Sequence, residues 1–292
     1  QYGSYSTILS FIAVGGVVAE FGLSQILIRQ IAQHKEHSSQ IFSSALMLSL
    51  MLSLVAMLGT IGIAIGLKYP TEFARLISLA SISLFFNTVI LLAGAVIRAF
   101  ERMEVISIIN SCVMISSTTI GLLWLQHGAG LQELVILLIS TSFINALLMS
   151  IYVFKRFAKL VFRKLSRERI TLIREAFPLF ILGIFTVILQ RYDILFLATN
   201  NSMTEAGIYS AAVVIIDALN IFPQSLIGAF FPIIALHWKE SPQKIQRSYE
   251  QIFRLFMIVG MFCSAVIFFL ADKLISLLYQ TRYVDSVICV RI

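Results

Sequence analysis

Four charged side chains stand inside long apolar runs: Glu20, Arg191, Asp193 and Asp217. If those runs cross a membrane, each charge costs about 2.5–3.5 kcal/mol at the bilayer centre and needs a reason to be there. Arginine offers a planar fork of donors that fits a phosphate group bidentately. A carboxylate in the same surroundings takes up a proton or holds a cation. Asp217, Asn220 and Gln224 follow at i, i+3 and i+7, which places a polar stripe along one helix face. Pro223 interrupts the same stretch and is a candidate hinge, with a static kink as the equal alternative. Other chemistries find little support. His34-x-x-His37 lies among Gln, Lys and Glu and reads as a solvated face, and no GxxxxGK[ST] run is present. Cys112, Cys263 and Cys289 form no CxxC and read as small buried hydrophobes. The expectation is a protein that is not an enzyme, with no cofactor and no metal site.

The elements that hold these side chains must themselves be apolar. Of 292 residues, 59% are hydrophobic and 13% charged, and the mean hydropathy is +0.92. Soluble domains average about 45–50% apolar and about 25% charged. A soluble fold, a disordered chain, collagen, a coiled coil and a disulfide scaffold are all excluded, which leaves an all-α polytopic membrane protein. A hydrocarbon core roughly 30 Å thick takes about 20 residues of helix. Eight runs meet that length: Ser6–Ile28, Phe42–Gly66, Leu76–Ile97, Val105–Leu125, Leu134–Phe154, Ala176–Ala198, Gly207–Leu236 and Ile252–Ala271. Val284–Ile292 reads as the start of a ninth. Membrane β-strands would show alternating segments of about 10 residues, and these runs are longer and apolar all round. Gly62 and Gly66 form a small-xxx-small pair and predict close helix packing.

The connections set an orientation. One alternating set of connections carries sixteen Lys and Arg and the other five, with Arg191 left inside a run. Basic loops stay cytoplasmic, so the N-terminus of the chain is expected outside. The net charge of +7 is then a topology signal, and no nucleic-acid partner is expected. An outside start with no secretory signal predicts an earlier helix, so the chain reads as a fragment. Lys155–Glu175 holds eight basic residues and divides the chain into an N-terminal lobe (1–154), a basic cytoplasmic linker (155–175) and an incomplete C-terminal lobe (176–292). A shift of 204 places Gly3-Ser4-Tyr5-Ser6 over Gly207-Ile208-Tyr209-Ser210 and implies a parallel repeat. In this frame Arg191 lies roughly 10–13 Å, and Asp217 roughly 15 Å, below the outer ends of neighbouring antiparallel helices. An Arg191–Asp217 pair is therefore geometrically allowed. Asp193 projects about 200° from Arg191 and faces another partner or water. Glu20, near a cytoplasmic end, is expected to snorkel towards the interface or the Arg29 region.

The segment YGSYSTILSFIAVGGVVAEFGLSQILIRQIA resembles the second helix of the polysaccharide and O-antigen flippases of the multidrug/oligosaccharidyl-lipid/polysaccharide exporter superfamily. The elements that carry the resemblance are Gly3, Tyr5, Glu20, Phe21-Gly22-Leu23 and Arg29. IRAFERMEV at Ile97–Val105 is similar to the family's connection between its fourth and fifth helices. Phe177-Pro178-Leu179, Tyr192-Asp193 and Gly207-Ile208-Tyr209 resemble the start of its second lobe. The resemblance implies a two-lobe parallel-repeat fold of about twelve to fourteen helices, of which this chain holds the second to ninth and part of the tenth. It also implies flipping of a lipid-linked oligosaccharide across the bacterial inner (plasma) membrane, by alternating access, for polysaccharide, O-antigen or lipopolysaccharide synthesis. Coupling to H+ or Na+, contact with membrane lipids and a polysaccharide polymerase partner follow from the same resemblance. In such a cavity Arg191 would attract the pyrophosphate, Asp193 or Asp217 would reset it by protonation or ion binding, and Asn220, Gln224 and Glu20 would line it. A structural role for the same charges as glue between helices stays open. The alternatives are a cation-coupled multidrug exporter of the same superfamily and a membrane glycosyltransferase or polymerase. The last would need a large outside loop, and the outside loops are short.

Overall fold

The structure, a computed structural model, describes residues 2–67, 69–158, 167–200, 203–220, 242–279 and 283–291. Every regular element among them is a helix, as expected of a chain whose backbone polar groups must be satisfied without water. In chain order these are α1 (Tyr2–Glu20), α2 (Leu23–Gln33), α3 (Ser38–Gly66), α4 (Thr71–Ala80), α5 (Ser83–Ala99), α6 (Met103–Gln126), α7 (Leu131–Arg156), α8 (Arg167–Asn200), α9 (Met203–Leu219), α10 (Pro242–Tyr279) and α11 (Ser286–Arg291). Seven stretches of described residues are long and apolar enough to cross a membrane, so the chain is a multi-pass membrane protein. They match seven of the eight expected runs. The other, Gly207–Leu236, begins in α9, and its second half, with Pro223, Gln224 and Pro232, lies outside the described residues.

Two of the runs are not single straight helices. The first breaks between α1 and α2, where Phe21 (φ 53°) and Gly22 (φ 71°) take left-handed backbone. The third bends between α4 and α5. There Ser81 Oγ donates to the Ser78 carbonyl at 2.6 Å and Ser83 Oγ to the Ala80 carbonyl at 2.7 Å. Hydroxyls that bond back to the preceding turn bend helices and satisfy carbonyls that lipid cannot.

Packing divides the chain into two units, Gln1–Met203 and Thr204–Ile292. In the first, α1 packs along α3, α5 and α8, and α5 along α7. Small residues are buried beside large apolar ones on these helices, among them Gly3, Gly15 and Ala19 of α1 and Ala93, Gly94 and Ala95 of α5. Small side chains let helices approach closely where lipid supplies no hydrophobic drive. A Cβ on Gly15 would lie 3.0 Å from Thr60 Oγ1 of α3 and 3.1 Å from Leu84 of α5, so the fit is tight. Between α3 and α5 the buried hydroxyls of Ser53 and Thr88 meet at 2.9 Å. The packing boundary at Met203 falls one helix later than the basic linker 155–175, because α8 packs along α1.

In the second unit, Ala212 of α9 packs with Ala271 and Ile275 of α10 and Val287 and Val290 of α11. Ser286 Oγ donates to the Ile208 carbonyl at 2.7 Å. Arg291 pairs with Asp272 and lies 5.7 Å from the Phe268 ring centroid, which ties α11 to α10. Two expectations are corrected. Nothing lies within 4 Å of a Cβ placed on Gly62 or Gly66, because that end of α3 packs through Thr60 and Ala64, and the glycines lie on the side where Ile63 and Ile65 are exposed. Cys112 is exposed, because α6 buries only Gly121 among the described residues.

Candidate functional site

The α1–α2 break is the most sharply built feature of the first unit. A Cβ on Gly22 would lie 2.8 Å from Leu179 Cβ, 3.1 Å from the Ala176 carbonyl oxygen and 3.2 Å from the Phe180 nitrogen. Glycine is needed here twice, for positive φ and for the approach of α8's backbone. The α8 segment it meets contains Pro178, which cannot donate to the helix ladder. Phe21 stacks on Phe180 with ring centroids 4.2 Å apart and planes at 19°. Below the break, Arg29 Nη2 donates to Glu175 Oε2 at 2.6 Å, and Gln30 Nε2 donates to the same oxygen at 3.2 Å. The break, the ring stack and this ion pair fasten α2 to the first turns of α8. Glu20, expected to turn towards the interface or the Arg29 region, bonds one turn in that direction. Its carboxylate accepts from Ser24 Oγ across the break, and Arg29 is held by Glu175.

The other residues singled out by sequence are placed as follows. Arg191 is half-buried on α8, and Asp193, two residues on, is exposed. Asp217 and Asn220 are exposed at the end of α9 in the second unit. Gln224 and Pro223 lie outside the described residues. Arg191 and Asp217 belong to different units, each described by itself.

Each unit carries a cavity. In the second, about 360 Å³ is lined by Ile216, Leu219, Phe256, Cys263, Phe268 and Arg291 among others. Among the described residues its wall is largely apolar. In the first unit, about 390 Å³ is lined by Ser4, Tyr69, Pro70, Phe73, Thr199 and Met203 among others. Tyr69 packs edge-on against Phe11 and Phe73, at 6.0 Å and 5.2 Å between centroids. Its hydroxyl is buried without a hydrogen-bond partner, and burial raises its pKa above the usual 10.0. Neither cavity is lined by Arg191, Asp193 or Asp217. Among the described residues, no group of three His, Cys, Asp or Glu could hold a metal ion.

Sequence reasoning missed two features of this region. Gly22 was legible only as part of a motif, because its need for glycine arises from Leu179, far along the chain. Arg98 counts by sequence as a loop charge, yet it stands in the last turn of α5.

A solved structure of a multidrug resistance MATE family transporter of the MOP superfamily, in an inward-facing conformation, is similar over 99% of this chain and 71% of its own, with a TM-score of 0.67 and 16% identity. At that identity the likeness concerns the fold, which is a transporter fold. No curated protein matches the sequence. The model of a family described as polysaccharide biosynthesis proteins matches residues 1–288. With that match running nearly end to end over a chain of membrane-crossing helices whose fold is like that transporter's, the chain belongs to the polysaccharide biosynthesis protein family.

Proposed function

We propose that the protein flips a lipid-linked oligosaccharide across the bacterial inner membrane by alternating access, supplying polysaccharide or O-antigen assembly on the far side. The observation that carries this reading is the family match over residues 1–288 of a chain with a transporter fold. A protein of polysaccharide synthesis that is almost entirely membrane helix is suited to moving the polymer's precursor rather than to making its bonds. In this reading Arg191 attracts the pyrophosphate of the cargo, and its half-buried position lowers competition from water for the same donors. Asp193 and Asp217 serve resetting by H+ or Na+. Asn220, Gln224 and Glu20 belong to the cavity wall, and Pro223 to the hinge. The basic loops, with the N-terminus of the chain outside, set the orientation. A polysaccharide polymerase that consumes the flipped precursor is the expected partner, and membrane lipids surround the outer faces.

The structural neighbour favours one second reading, a cation-coupled drug exporter. A deletion strain separates the two. Loss of surface polysaccharide with unchanged drug sensitivity supports the flippase; unchanged polysaccharide with raised drug sensitivity supports the exporter. The phosphate role is tested by Arg191→Ala and Arg191→Lys variants that insert at normal levels. Transport is expected to fall at least about tenfold in Arg191→Ala, with partial recovery in Arg191→Lys. Full activity in both would remove Arg191 from the reading.

A further inference from the structure

Arg98 ends α5 at the basic face of the first unit, yet its guanidinium does not extend outward. A Cβ placed on Gly94, one turn deeper in α5, would lie 3.6 Å from Arg98 Nη2 and 4.0 Å from Ile106 Cδ1 of α6. The side chain therefore folds back along its own helix, into the space glycine leaves, beside an apolar residue of the neighbouring helix. Arg98 is half-buried as a whole, and its Nε is shut off from solvent with no hydrogen-bond partner among the described residues. Glu101, three residues on, is exposed, and no ion pair joins it to Arg98 among the described residues. Glu104 takes Arg102, at 3.3 Å. The carbonyls of Val96, Ile97 and Arg98 accept from the N–H groups of Phe100, Arg102 and Glu101. An arginine at the end of a span ordinarily snorkels to water, and a guanidinium folded back along its helix with no counter-charge among the described residues is costly. The negative end of the α5 dipole offsets only part of that cost.

The surroundings favour an anion that arrives attached to a hydrocarbon chain. Beyond Arg98, α6 presents Met103, Ile108, Met114 and Ile115 outward, all more than half exposed. A free anion would have to shed its water against that apolar wall. A lipid phosphate already lies at this depth, with its chains running along such a surface. More positive charge stands at the same end of the bundle, where Lys35 lies 5.7 Å from the centroid of the Phe100 ring, itself stacked on Phe157.

We infer that Arg98 binds the phosphate of a membrane lipid seated between α5 and α6 at the basic face. This site uses none of the residues assigned to the cargo above, and its test does not use transport. Full-length protein in detergent is titrated with dioleoylphosphatidylglycerol, with a polyprenyl phosphate and with inorganic phosphate, and bound lipid is read by native mass spectrometry. The proteins are wild type, Arg98→Gln, Arg98→Lys and Arg102→Gln. At least one of the two lipids is expected to bind wild type about tenfold more tightly than Arg98→Gln. The lipid that shows this dependence identifies the source, bulk phospholipid or carrier lipid. Arg98→Lys keeps the charge and reaches water easily, so it folds even if Arg98→Gln does not, and it is expected to lose about threefold or more. Arg102→Gln, an equal change of charge, is expected to stay within about twofold of wild type. Equal losses in the Arg98 and Arg102 variants would reduce the effect to general electrostatics and overturn the site. So would displacement of lipid by millimolar inorganic phosphate, or failure of both lipids to bind.

Discussion

Replacing Gly22 with alanine tests whether the α1–α2 break is a built joint. The backbone there has φ of +71°, a region that costs an L-residue with a Cβ roughly 1–2 kcal/mol. The added methyl would also lie 2.8 Å from Leu179 Cβ and near 3.1–3.2 Å from two backbone atoms of α8. Backbone atoms cannot swing aside as a side-chain tip can, so relief requires α8 to shift, an overpacking cost of about 1–3 kcal/mol. Together the two terms come to roughly 2–5 kcal/mol, a large share of the ~5–15 kcal/mol that holds an ordinary protein folded. The assay is denaturant unfolding of the full-length protein in micelles, followed by tryptophan fluorescence. Gly62→Ala is the control, since nothing lies within 4 Å of its Cβ. It is expected to be neutral or up to about 1 kcal/mol stabilising, as alanine is the better helix former. Gly22→Asn shares the clash but tolerates positive φ, so it is expected to fall between wild type and Gly22→Ala. If Gly22→Ala stayed within about 0.5 kcal/mol of wild type, or matched Gly62→Ala, the joint would not be held as described.

The remaining predictions are smaller. A double-mutant cycle on Arg29 and Glu175, using glutamine at each, is expected to give a coupling of about 0.5 kcal/mol and not above ~1, because their side chains are 56% and 34% exposed. Tyr69→Phe, which deletes a buried hydroxyl without a partner, is expected to be neutral or stabilising by about 1 kcal/mol in the same unfolding assay. The tyrosine's raised pKa adds a pH signature. Its contribution is fully present below the ordinary value of 10.0 and is lost as pH climbs above it, because the unfolded chain gives up the proton first. Stability of wild type should therefore fall more steeply than that of Tyr69→Phe above that pH, and parallel curves would contradict the assignment.

The span pattern was legible because a run of about 20 apolar residues has one solution in lipid. The helical spacing of Arg191 and Asp193 was legible for a similar reason: two positions on one helix have a fixed angle between them. What escaped the sequence depends on contacts between distant segments. Phe21-Gly22 reads as ordinary helix until Ala176–Phe180 of α8 presses on it. Gly62 and Gly66 have a spacing that favours packing, but spacing does not supply a neighbour, and none is there among the described residues. Arg98 was counted with the loop because its type and place fit an orienting charge. Only the room left by Gly94 shows that its guanidinium turns the other way. Glu20 found its hydrogen bond one turn away at Ser24, while Arg29 went to Glu175, a choice made by the docking of α2 on α8.

The central claim, movement of a lipid-linked sugar across the inner membrane, is tested most directly by asking which leaflet holds the precursor. Spheroplasts and inside-out vesicles from a deletion strain and its complemented parent are treated with a membrane-impermeant reagent that modifies the sugar. Deletion is expected to leave nearly all the lipid-linked sugar reactive only from the cytoplasmic side, and the full-length gene to restore reactivity from the outside. The same distribution with and without the gene would contradict the account.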